Sequence, residues 1–164
     1  MNSANSKAEQ QPSAVTPYLI VKGAAEAIEF YKKAFGAEEV MRMKTPDGKG
    51  ILHAEIKIDG ASVMLTEECP ERGGVAPDAQ TEARSSSLYL MLPDVDKVVK
   101  KATECGARIV NPVQDMFYGH RTGTVVDPYG HKWTIATLKE ALTQDQMKER
   151  LEQMMKNAPQ QKAS

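Results

Sequence analysis

Cysteine, histidine and aromatic residues are all scarce in this chain. Of 164 residues, two are Cys, three are His and one is Trp, and aromatic residues make up 5%. Cys69 and Cys105 share no metal-type spacing. Neither a cysteine-built metal site nor a disulfide framework is indicated, and both are expected as reduced thiols. An excess of charge of one sign is also missing. The formal net charge is −1, which argues against a nucleic-acid partner or an anionic membrane surface. No apolar run approaches the roughly 20 residues that span a bilayer. Met1 to Ser13 is polar and lacks the apolar segment of a signal peptide, so the expected compartment is the cytoplasm. A phosphate-cradling loop is absent, because Gly73-Gly74 lacks the strand and helix such a loop needs on either side. Ser85-Ser86-Ser87 has no nucleophile-elbow context, and nucleophilic catalysis has no support.

What the chain does have is a repeat. Tyr18-Leu19-Ile20-Val21 and Tyr89-Leu90-Met91-Leu92 open two apolar strands about seventy residues apart, too long a period for a solenoid unit. An amphipathic helix follows each. The first buries Ala24, Ile28, Tyr31 and Phe35 on one face and stops at Gly36-Ala37. The second, from about Asp94, carries Val95, Val98, Val99, Ala102 and Cys105 and stops at Gly106-Ala107. In the first half strands are expected at Glu38–Lys44, Ile51–Ile58 and Ser62–Thr66, with Asp59-Gly60 as a two-residue hairpin. In the second they are expected at Arg108–Val110, near His120–Asp127 and at Lys132–Leu138, with Asp127-Pro128-Tyr129-Gly130 as a turn. The organisation read from this is a disordered tail (1–14), one α+β domain (15–140) of two repeats (15–66 and 87–138) and a C-terminal helix (141–158). Residues 67–86 link the halves. Thr143 and Gln146 form a capping box for the last helix, whose stripe is Met147, Leu151, Met154 and Met155. That stripe either packs on its own domain or covers a partner subunit or a pocket mouth.

Few residues offer chemistry. His53 and Glu55 alternate onto one face of a strand. If that face lines a pocket they are a ligand or acid–base pair; if it meets water they are an ordinary polar face with Lys57 and Asp59. Phe117-Tyr118-Gly119-His120-Arg121 mixes aromatic, imidazole and guanidinium groups. Arg121 is suited either to clamp a carboxylate or phosphate, or to pair with Asp115 or Asp127. His131 suits a turn-bracing hydrogen bond. Trp133 suits the core or the aromatic wall of a cavity.

The opening strand with Ala27-Ile28-Glu29-Phe30-Tyr31 and Phe35-Gly36-Ala37 resembles the start of the vicinal-oxygen-chelate superfamily, which includes glyoxalase I, bleomycin-resistance proteins and extradiol dioxygenases. His53-Ala54-Glu55-Ile56 and the ending Gly119-His120-Arg121-Thr122-Gly123 with Asp127-Pro128-Tyr129-Gly130-His131-Lys132-Trp133 are similar to its PhnB-like branch. The resemblance spans about residues 15–140 and implies two βαβββ modules forming an open, barrel-like cavity, commonly paired across a twofold axis into a homodimer. It also implies four positions for metal ligands. These fall near Thr16, at His53 or Glu55, near Ser87 and at Thr134. Only one of them keeps a good ligand, and hydroxyls are poor ligands for zinc or nickel.

The function expected from this is a small-molecule-binding protein with a degenerate metal site, sequestering or modifying a small aromatic or anionic compound through His53, Glu55, His120, Arg121 and Trp133. No metal or other cofactor is expected. The alternative is a metal-dependent enzyme of the glyoxalase, dioxygenase or isomerase type with an unconventional site. His53, Arg121 and Trp133 are expected to reach one cavity.

Overall fold

The computed structural model describes residues 14–80 and 86–157; most of the expected N-terminal tail lies outside them. The first half runs β1 (Tyr18–Val21), α1 (Ala24–Phe35), β2 (Glu38–Lys44), β3 (Ile51–Ile58) and β4 (Ala61–Glu67). The second runs β5 (Leu88–Met91), α2 (Val95–Glu104), β6 (Arg108–Asp115), β7 (His120–Val126) and β8 (Lys132–Leu138). Each half folds into one four-stranded mixed sheet. The orders are β1-β4-β3-β2 and β5-β8-β7-β6, and in both the first strand lies parallel to the last. The register matches as well: Tyr18 sits beside Met64 and Tyr89 beside Thr134. The sequence repeat is therefore a repeat of topology. The two sheets are not closed into a barrel.

Local chemistry explains the elements. Asp59 and Gly60 take φ of 48° and 83°, the left-handed pair that a tight β3–β4 hairpin requires. Asp94 caps α2 by accepting from Lys97 N at 3.0 Å. Gly23 has no side chain with which to cap α1. The Glu67 carboxylate, arriving from the end of β4, takes that role and accepts from Gly23 N (2.7 Å) and Ala24 N (2.8 Å). β6 is longer than expected, running to Asp115. It is an edge strand, and its Pro112 falls where the ladder with β7 is interrupted between Asn111 and Gln114, so the missing N–H breaks no pairing.

Both helices pack on their own sheets and against each other, and one core contains side chains from both halves. Phe35 and Tyr31 of α1 meet Trp133 of β8 at ring-centroid distances of 4.9 and 5.5 Å. Asp127, 2% exposed, is the polar centre of that junction. Its carboxylate accepts from Tyr31 Oη and Trp133 Nε1, both at 2.8 Å, and from the backbone N–H groups of Tyr129 and His131, both at 2.9 Å. Burial first, then the adjacent Asp127, holds the Tyr31 phenol well above its ordinary pKa, so it stays the donor. His131 places Nε2 3.0 Å from Ile20 O, a second tie between the halves.

The last helix, α3 (Gln144–Asn157), begins at the expected capping box: Thr143 N donates to Gln146 Oε1 (2.9 Å) and Gln146 N to Thr143 Oγ1 (3.3 Å). Packing of its stripe on its own domain is not what the structure shows. No residue of α3 is buried, and Met155 is 68% exposed. An ion pair between Arg150 and Glu140 (2.8 Å) holds the helix to its connecting segment.

Candidate ligand-binding faces

Strand alternation sorts the candidate residues. On β3, Ala54 and Ile56 are fully buried in the core shared with α1, so His53 and Glu55 occupy the helix-free face. One row across that face is Tyr18, Met64, Glu55 and Met41; His53 stands in the next, beside Met43. The His53 ring stacks on Tyr18 (centroids 5.7 Å apart, 20° between planes), with Nδ1 3.4 Å from the phenol oxygen. Glu55 is 6% exposed, sheltered by its neighbours, and accepts from Ser62 Oγ at 2.7 Å.

The helix-free face of the second sheet carries a related cluster. Tyr89, Thr134 and Thr124 form the matching row. His120 Nδ1 lies 2.9 Å from Tyr89 Oη, and Tyr118 meets the His120 ring edge-on at 5.4 Å. Burial first, then the neighbouring Tyr118, raises the Tyr89 pKa, so this phenol too is protonated at neutral pH. Thr124 and Thr134 bond to each other through their hydroxyls (3.2 Å). Each sheet thus presents a tyrosine–imidazole pair on its open face. Tyr18 and Tyr89 were not among the expected site residues, although both open the repeated strands.

Two expected residues are placed differently. Arg121 follows His120 directly, and a strand turns neighbours to opposite faces. It points towards α2, where Nε and Nη2 bond the two Asp96 oxygens (2.7 and 2.8 Å) and Nη1 bonds Asp115 (3.0 Å). Those carboxylates raise its pKa further. Trp133 is 1% exposed and belongs to the core. The single cavity expected for His53, Arg121 and Trp133 is therefore not formed. Instead, Tyr18 borders a cavity of about 730 Å³ with Ile20, Ile51, Thr66 and Arg72. Tyr89 borders another of about 510 Å³ with Ser62, Ser87 and Trp133.

The donor set does not fit a catalytic divalent metal. The register puts Tyr89 beside Thr134 and Tyr18 beside Met64, so these positions offer phenol, hydroxyl and thioether groups. Among the described residues no group of three His, Cys, Asp or Glu side chains is placed to hold one ion.

Comparison with known proteins agrees with this architecture. Residues 13–135 match the model of the Glyoxalase/Bleomycin resistance protein/Dioxygenase superfamily. The chain belongs to that superfamily. Within it, the uncharacterized Mycobacterium bovis protein Mb0911c is 36% identical over 136 residues, which cover 82% of this chain and 89% of that protein. The PhnB protein of Bacillus cereus superposes with a TM-score of 0.58 at 22% identity, over 76% of this chain and 98% of that one. A fosfomycin resistance protein of this fold, FosX from Listeria monocytogenes in complex with Mn(II), gives 0.57 at 18% identity, over 86% and 99%. The superfamily fold thus carries more than one function, and the residues of each site must decide between them. No helix among the described residues is long and apolar enough to cross a membrane.

Proposed function

We propose that this member of the superfamily is a metal-free small-molecule-binding protein that holds an aromatic compound against its open sheet faces. The observation that carries the reading is the paired arrangement of Tyr18 with His53 and Tyr89 with His120 on those faces, beside hydroxyls, thioethers and the single Glu55 carboxylate. Rings stack on rings, and the imidazole and phenol edges supply hydrogen bonds. Titration with a small aromatic library, followed by the ring resonances of His53 and His120, tests it. Binding should move those resonances, and His53→Ala or His120→Ala should weaken it. The competing reading, a metal-dependent enzyme of the glyoxalase, dioxygenase or isomerase type, predicts stoichiometric metal in the purified protein and glyoxalase I activity on adding nickel or zinc. Elemental analysis with near one metal per chain, lost on changing His53 or Glu55 to Ala, would overturn the proposal.

The proposal includes a homodimer. Tyr18 and Met43 on one open face, and Tyr89, Met91 and Leu138 on the other, are exposed. The helix-bearing faces meet in the shared core, so among the described residues no helix is packed on the open faces. Contiguous exposed apolar surface of this kind marks an interaction site, and twofold pairing is the commonest solution. The α3 stripe adds to it, because burying a large apolar side chain contributes about 1.5–3 kcal/mol. Truncation after Lys139 should shift the mass measured by light scattering towards that of one chain, or lower the melting temperature. A monomeric full-length protein, or a truncation that changes neither quantity, counts against the dimer.

A further inference from the structure

Glu55 is an unusual residue to find sheltered on an open sheet face. A buried carboxylate is stable only when donors surround it, and the hydrogen bond found for it is the one from Ser62 Oγ. Around it stand Met64 and Met41, with Tyr18 at the end of the row and His53 two residues along the strand. The cavity beside Tyr18 carries the cation Arg72 against three carboxylates, Asp47, Glu67 and Glu68, so its charge favours a cationic ligand over an anionic one. Arg121 belongs to the other sheet and lies on its helix-covered face with Asp96 and Asp115.

From this we infer the ligand's chemical class: an aromatic compound carrying a cationic or strongly donating nitrogen, which Glu55 receives while Tyr18 and His53 stack on the ring. The inference rests on the binding reading above and narrows it, because it excludes the anionic half of the sequence expectation. A desolvated carboxylate repels an anionic ligand and forms a charge-assisted hydrogen bond to an ammonium or amidinium group. The Tyr18 ring offers the same cation its negative face.

A matched trio of probes tests this on the intact protein: 2-phenylethylamine, 2-phenylethanol and phenylacetate share one ring and differ only in the terminal group. Titration calorimetry should rank them amine, alcohol, acid, with the amine about tenfold tighter than the acid, the ratio that one charge-assisted bond supplies. Glu55→Gln, verified to melt like the parent, should remove the preference for the amine over the acid. Equal binding of amine and acid, an order led by the acid, or a preference that survives Glu55→Gln overturns the assignment of class while leaving the binding reading in place. Failure of all three probes to bind or to move the His53 and His120 resonances overturns both.

Discussion

Replacing Asp127 with Ala should lower the unfolding free energy by roughly 3–5 kcal/mol, the range seen when a buried network loses its acceptor. The carboxylate receives four hydrogen bonds in a site that is 2% exposed. Without it the Tyr31 hydroxyl, the Trp133 indole N–H and two backbone N–H groups lose their acceptor. Each unsatisfied buried donor costs about 1–3 kcal/mol, moderated where water can enter. A domain of this size loses about 2–4 °C of melting temperature per kcal/mol, so a fall of roughly 10 °C is expected. Arg121→Ala provides the contrast. Its partners Asp96 and Asp115 are 57% and 74% exposed in their side chains, and exposed pairs contribute about 0–1 kcal/mol. The charged group paired at the surface should therefore matter less than the one hidden between the halves. Urea melts in which Asp127→Ala costs under about 1 kcal/mol, or no more than Arg121→Ala, would contradict this account of the junction.

Gly119→Ala should be the next most damaging single change, by roughly 2–4 kcal/mol. Gly119 has φ of +85°, and a Cβ there would overlap the carbonyl oxygen of Glu140. Its own carbonyl accepts from Lys139 N and Glu140 N, both at 3.0 Å. The turn before β7 is thereby latched to the exit of β8, next to His120 and at the root of α3. A methyl group cannot move aside from backbone as it can from a flexible side chain. Gly60→Ala separates the two contributions: φ is +83° there too, but nothing lies within 4 Å of the added carbon. Only the conformational part, roughly 1–2 kcal/mol, should remain. The Gly119 variant should also weaken aromatic binding at His120, because the latch sets the position of that ring. Equal melting temperatures for the two alanine variants would show that the Glu140 contact has no weight.

Periodicity carried most of the architecture. The helical stripes of α1 and α2 and the alternation on β3 each follow from spacing inside one segment. So do the Asp59-Gly60 hairpin and the Thr143–Gln146 capping box. The information for each is local, a matter of a few neighbouring dihedrals and side-chain directions. The repeat added that two such units are alike, and the matching register of Tyr18 with Met64 and of Tyr89 with Thr134 follows it. For the candidate site, alternation put His53 with Glu55, whereas His120 and Arg121 were expected together and fall on opposite faces of β7.

Other features needed the chain to be folded. The cap on α1 comes from Glu67, 43 residues beyond Ala24. The acceptor for Tyr31 is Asp127, 96 residues away, and Arg121 finds Asp96 across 25 residues. Pairing at such distances depends on where two elements dock, which no local pattern encodes. Burial of an alternating strand was visible in the sequence, but which face a helix covers was not, because either face of β7 carries groups that suit water or a partner. Docking of α2 settled it: the helix covers the Arg121 side and pairs that residue, leaving His120 and Tyr89 on the open side. The sequence by itself thus determined which residues stand together on a strand face. The tertiary structure decided which of those faces is free to meet a ligand, since a face becomes a site only when no helix is packed on it.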